Sequence, residues 1–173
     1  AEETAKAFIA GAGPIGFLLT PLTLFIAATL KARPSIACTF VFSFAGILLL
    51  GASWASTLFV FTFFAVTSQM AAVQQGPLVL QIYSANYNAK ERGSRMTMPF
   101  ILSGVFSIAF AILGGKLLDW RIESYHWIFI IMMVASFASA SICAQMPSNP
   151  LSREHVGNPW QNFSLIWKDG FFG

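Results

Sequence analysis

The residues with the most chemical potential in this chain are amides set in apolar surroundings. Gln69, Gln74, Gln75 and Gln81 interrupt a long hydrophobic run, and Thr67, Gln74 and Gln81 recur at seven-residue intervals, which places them on one face of a helix. A glutamine amide offers two donors and an acceptor, and turning those groups toward hydrocarbon is costly. Such side chains must face a neighbouring helix or a wet cavity. Two uses fit: hydrogen bonding between helices, or a pathway of neutral hydrogen-bonders for a polar solute. On the second, Gln74 and Gln75 are the leading substrate-lining residues, with Gln69 in the same run.

Other patterns carry less. Gly11-Ala12-Gly13-Pro14-Ile15-Gly16 matches the glycine spacing of dinucleotide-binding turns, but that chemistry needs a preceding strand and an acid about 20 positions on. No Asp or Glu occurs between Glu3 and Glu91, so small residues at the mouth of an apolar helix explain the motif better. Cys38 and Cys143 sit inside apolar runs and read as helix fillers. His126 and His155 are isolated in separate polar stretches, so neither a metal site nor a nucleophile–base pair assembles around them. Asn162-Phe163-Ser164 fits the glycosylation pattern by chance on the side expected to be cytoplasmic. The reading is therefore no enzyme, no cofactor, no metal and no nucleic acid. A proton-coupled carrier commonly uses an intramembrane carboxylate; no span here holds one at its centre, so it would come from outside this chain.

These side chains need a scaffold of apolar helices. The chain has 173 residues, of which 56% are hydrophobic and 10% charged, against roughly 25% charged in a soluble domain. Runs near the length of about 20 residues that crosses a bilayer occur at 8–30, 36–52, 55–83, 96–118 and 127–146. The expectation is an all-α integral membrane bundle of about five spans over 1–150, then a polar segment, 151–173. In that segment Asn158, Pro159 and Gln161 suit a helix start, and Trp160, Phe163 and Trp167 share one face. Five spans place Lys31, Arg33, Lys90, Arg92, Arg95, Arg153 and Lys168 on one side and Lys6, Lys116 and Arg121 on the other. Lys and Arg favour the cytoplasmic side, so the N-terminus is expected outside and the C-terminus inside a plasma (inner) membrane. An outside start implies a preceding span in a longer protein. Along 96–118, Ser103, Ser107, Ala111 and Gly115 recur every four residues, a stripe that lets another helix approach.

The order of these pieces resembles helices two to six of a major facilitator superfamily transporter. Ala28-Thr29-Leu30-Lys31-Ala32-Arg33 is similar to a worn form of the G-x-L-x-D-R-x-G loop between helices two and three, with Ala32 at the Asp position. Tyr83-Ser84-Ala85-Asn86-Tyr87 through Glu91-Arg92-Gly93 resembles the loop between helices four and five. Leu113-Gly114-Gly115-Lys116-Leu117-Leu118-Asp119 and Tyr125-His126-Trp127-Ile128-Phe129 resemble the end of helix five and the start of helix six. Leu165 to Phe172 is similar to the central-loop helix. The resemblance implies part of a six-helix half of a two-half carrier, moving a small-molecule solute by alternating access, with a coupling ion or proton among its partners. It implies that Gln74, Gln75 and Gln69 line the pathway, that Ser103 and Ser107 line it or pack against the other half, and that Arg33, Arg92 and Arg95 serve cytoplasmic gating. The competing expectations are a non-transporting membrane scaffold or sensor, and a membrane-embedded enzyme subunit.

Overall fold

The computed structural model describes residues 2–151. The short helix expected from Asn158, together with Arg153, His155 and Lys168, lies outside the described residues. Within them the chain is helical: α1 Glu2–Leu18, α2 Thr20–Thr29, α3 Pro34–Ser53, α4 Leu58–Val73, α5 Gln75–Asn86, α6 Ala89–Trp120 and α7 Tyr125–Gln145, with a single 3-10 turn at Ile122–Ser124. Four helical stretches are long and apolar enough to cross a membrane, and a fifth arises if α1 and α2 count as one bent span.

Two of the expected runs are broken, and proline explains both. A proline has no N–H for the carbonyl four residues back, and its ring crowds that carbonyl. Pro21 interrupts the first run, so α1 and α2 meet at Leu19 with a bend of 46°. Pro77 interrupts the third, and α4 hands over to α5 at Gln74, whose N–H bonds Ala71 in a tightened turn at 3.0 Å. Pro34 does the opposite: at the first position of α3 its missing N–H costs nothing. The segment 86–95, read as a polar loop, is mostly helix, since α6 begins at Ala89 and carries Glu91, Arg92 and Arg95 in its opening turns. A helix can project charges from its end as readily as a loop can.

The turn between α2 and α3 closes α2 with paired bonds, Lys31 N–H to Ala28 at 3.1 Å and Ala32 N–H to Ala27 at 2.9 Å. That closure needs a left-handed residue, and Lys31 supplies it at φ 49°.

Packing centres on α3, which lies against α4, α5 and α7, while α1 lies along α4. The residues at these crossings are small. Ala12, Ala28, Ala45, Ala52, Ala65 and Ala140 are buried, whereas Phe8, Phe40, Phe59, Phe100, Phe106 and Trp127 are exposed. A water-soluble core has the reverse arrangement; small residues inside and large apolar ones outside is how helices pack in hydrocarbon. Thr39 Oγ1 on α3 donates to the Ala140 carbonyl on α7 at 3.2 Å, and Cys38 and Cys143 lie in contact between the same helices. At the other end of this pair, His126 Nδ1 hydrogen-bonds the Ser53 carbonyl.

A close backbone-to-backbone crossing joins α1 to α4 at Gly16. A Cβ there would stand 3.0 Å from Met70 Cα and 3.2 Å from the Met70 carbonyl oxygen, both backbone atoms that cannot swing away. At Gly13, on the same helix, a Cβ would meet nothing within 4 Å. Gly16→Ala is expected to destabilise the protein by about 1–3 kcal/mol through overpacking. Gly13→Ala should be neutral or stabilising by up to about 1 kcal/mol through helix propensity. Thermal unfolding of the two variants in one detergent tests the crossing; equal effects would show that it does not limit packing.

Candidate functional site

Three of the residues singled out from sequence share one groove. It has a volume of about 660 Å³ and is walled by α3, α4 and α7, with Ile9 from α1, Gln75 from α5 and Ser107 from α6. Its polar side chains are Ser68, Gln69, Gln75, Ser107, Ser136 and Ser139, set among apolar neighbours such as Phe42, Leu49, Phe61, Phe129 and Met132. The proline break that opens α5 brings Gln75 to the same wall as Gln69. Both lie near the middle of the 29-residue stretch Leu58–Asn86.

The groove's hydrogen-bonding capacity is largely unspent. Ser68 Oγ donates to the Ala65 carbonyl and Ser139 Oγ to the Ala135 carbonyl, each at 2.9 Å, which leaves their oxygen lone pairs as acceptors. The amides of Gln69 and Gln75 have no hydrogen-bond partner among the described residues, and each therefore offers two donors and an acceptor. None of the six side chains carries a charge. A lining of neutral donors and acceptors on an apolar wall recognises a neutral or mildly polar solute through oriented hydrogen bonds, with aromatic rings covering its apolar faces.

Gln74 lies elsewhere. It is 6% exposed, and its Nε2 donates to the Gly16 carbonyl at 2.6 Å and to the Met70 carbonyl at 3.1 Å. The bond to Gly16 ties the α1–α4 crossing, and the one to Met70 runs back along Gln74's own helix. Gln74 also borders a second groove of about 570 Å³ between α2, α3 and α4, lined almost wholly by apolar side chains. Sequence spacing put Thr67 and Gln74 on one face, and both do line this second groove. Ser103 is exposed and borders neither groove. Ser68, which sequence spacing sets beside Gln75, and Ser136 and Ser139, from the run of small residues along 135–141 read as helix packing, join Gln69, Gln75 and Ser107 in the first groove.

Lys31, Arg33, Lys90, Arg92 and Arg95 stand in or beside the α2–α3 and α5–α6 turns, at one end of the bundle. There, Leu151 N–H bonds the Ala32 carbonyl at 3.1 Å, Ser148 Oγ donates to Ser35 Oγ at 2.8 Å, and Asn86 Nδ2 donates to the Pro147 carbonyl at 2.8 Å. These bonds join the α2–α3 turn, the α5–α6 turn and the stretch after α7. Arg33 caps α3 and is exposed. Arg92 Nη2 donates to the Ser84 carbonyl at 3.3 Å, and Arg95 lies 5.9 Å from the Tyr87 ring centre. Both arginines thus engage their own turn rather than the α2–α3 turn.

No family model, no curated protein and no solved structure matches this chain.

A groove shared by α5 and α6 makes a geometric prediction. With Cys38 and Cys143 replaced by Ser, Gln75→Cys and Ser107→Cys together should be joined by a short bifunctional thiol reagent. Gln75→Cys with Ser103→Cys should not. Equal cross-linking of both pairs, read by loss of free thiols on a mass spectrometer, would place α6 in a different orientation.

Proposed function

We propose that this chain is part of a secondary transporter, with the structural plan of a major facilitator half, that moves a small polar solute across a membrane by alternating access. The observation that carries the reading is the groove in which two amides without a protein partner, Gln69 and Gln75, stand among serine hydroxyls near the middle of apolar helices. Gln75 is half-buried and Gln69 exposed on the groove wall, and a solute in the groove would supply the hydrogen bonds that both amides lack. Packing alone gives no reason to keep Gln69 and Gln75 unpaired. In a membrane the large exposed apolar side chains face lipid, and the groove is the polar interruption in that surface. Carriers place substrate sites near the bilayer midplane, next to interrupted helices; Gln69 and Gln75 lie near the middle of Leu58–Asn86, beside its interruption at Gln74.

The arrangement of cations supports the same orientation as the charge count. With Lys31, Arg33, Lys90, Arg92 and Arg95 on one end of the bundle, that end is the cytoplasmic one under the positive-inside rule, and the N-terminus of α1 faces outward. Arg92 and Arg95 anchor the α5–α6 turn there. The unburied length of α6, including Ser103, Ala111 and Gly115, is the face available to the remaining helices of a longer protein. The scaffold alternative has no use for a lined groove.

The test is solute uptake in cells expressing the protein with its remaining helices, screened over sugars, amino compounds and apolar drugs. Gln69→Ala with Gln75→Ala should lower uptake by about five- to 150-fold, two hydrogen bonds being worth about 1–3 kcal/mol together. The double variant should reach the membrane in normal amount. Uptake equal to the parent protein would remove the groove from the pathway, and no transported solute would favour the scaffold.

A further inference from the structure

We propose that Cys38 and Cys143 form a redox couple, a dithiol that a small hydroperoxide closes to a disulfide pinning α3 to α7. The chain has two cysteines. They are 105 positions apart, and the fold sets their Sγ atoms 3.5 Å from one another, both buried and both free thiols. As helix fillers they need only be small, and Ala45, Ala52 and Ala140 meet that need along the same two helices. Filling a crossing gives no reason for the two thiols to meet each other.

The register of the helices holds the pair from both sides. α3 and α7 run antiparallel, and their contacts step along in order. Ser148 Oγ donates to Ser35 Oγ at 2.8 Å, the two cysteines meet next, and Thr39 Oγ1 then donates to the Ala140 carbonyl at 3.2 Å. Further along, Ser53 Oγ donates to the His126 carbonyl at 3.4 Å. The backbones are also near enough for a bridge. A Cβ at Gly46 would stand 3.3 Å from Ser136 Cβ, and disulfides join Cβ atoms about 3.5–4.5 Å apart. Bonding the sulfurs requires an approach of ~1.5 Å, to an S–S length of about 2.05 Å, which side-chain rotation can supply.

The surroundings select the oxidant. Leu78 is buried against both cysteines, with Leu24, Val41, Phe42 and Val79 around them. A bulky or charged oxidant is excluded there, whereas hydrogen peroxide is small and neutral. One cysteine attacks a peroxide oxygen as its thiolate, the O–O bond breaks, and the departing hydroxide takes up the thiol's proton as water. The sulfenic acid so formed meets the second sulfur before a second peroxide can reach it. That sulfur displaces the sulfenic oxygen, which leaves with the second thiol's proton as another water. The two sulfurs together lose two electrons, and the peroxide gains them. A small dithiol reverses the step by exchange. The resulting staple closes a long loop, the case in which a cross-link most restricts the unfolded chain. The couple rests on the fold alone and holds whether or not the chain carries a solute.

The experiment exposes the reduced, purified chain in lipid nanodiscs to hydrogen peroxide, then quenches with acid and alkylates free thiols in denaturant. Mass spectrometry should show both thiols lost together, with two hydrogens removed and no oxygen added. A non-reducing gel should show a monomer, and dithiothreitol should restore both thiols. The oxidised chain should melt about 5 °C above the reduced one. Cys38→Ala and Cys143→Ala, each alone, should abolish the two-hydrogen loss and the rise in Tm. Two alkylated thiols after an exposure that fully oxidises free cysteine would overturn the proposal. So would sulfinic acid at either position, disulfide-linked dimers as the main product, or an oxidised chain that melts lower than the reduced one.

Discussion

Helices that are apolar on every side have no surface they are compelled to bury, so close approach of backbones must hold them together. At Gly16 the α1 backbone comes so near Met70 that no side chain fits between them. The rest of the site follows from this contact. It places the Gly16 carbonyl within reach of the Gln74 amide, and that amide sits at the point where α4 gives way to α5. Two helix interruptions, each costly alone, are thereby braced against one another. The same logic governs α3, whose Ala45, Gly46 and Ala52 let α4 and α7 lie close along it.

The break at Gln74 also separates two neighbouring amides that the sequence presents together. Gln74 turns into the crossing and hydrogen-bonds backbone, while Gln75 turns to the far side and lines the groove with Gln69 and Ser107. Adjacent residues on a helix point about 100° apart, so one position of difference is enough to give one amide a structural partner and leave the other open. A half-buried amide without a protein partner at Gln75, beside Ser68 and Ser139 whose lone pairs are free, is what turns a packing gap into a candidate recognition surface.

The long helix α6 stands apart. Among its described side chains none is buried, and Phe100, Phe106, Ile108 and Leu113 are exposed around it. Its stripe of Ser103, Ser107, Ala111 and Gly115 has the character of a packing surface, yet only Ser107 meets the rest of the bundle at the groove. The structure is therefore asymmetric, with a tight cluster around α3 and one helix attached mainly through its ends.

Much of the fold was legible in the sequence. Apolar length marks the long helices, because a continuous hydrophobic run bounded by Lys31, Arg33, Asp119 or Pro147 has few other solutions. Prolines 21 and 77 were visible too, although the sequence alone does not say whether a proline kinks a helix or ends it; that depends on whether a neighbour such as Gln74 braces the break. The polar groups worth attention were likewise legible, since an amide within an apolar run is conspicuous. Which of them meet was not. Uniformly apolar helices carry no periodic signal for the face they turn inward, so the rotation of α4 and α5, and with it the parting of Gln74 from Gln75, is set only by tertiary packing. The meeting of Gly16 with Met70, and of Cys38 with Cys143, was equally invisible, because each joins segments whose relative register is decided by where small residues allow two backbones to touch.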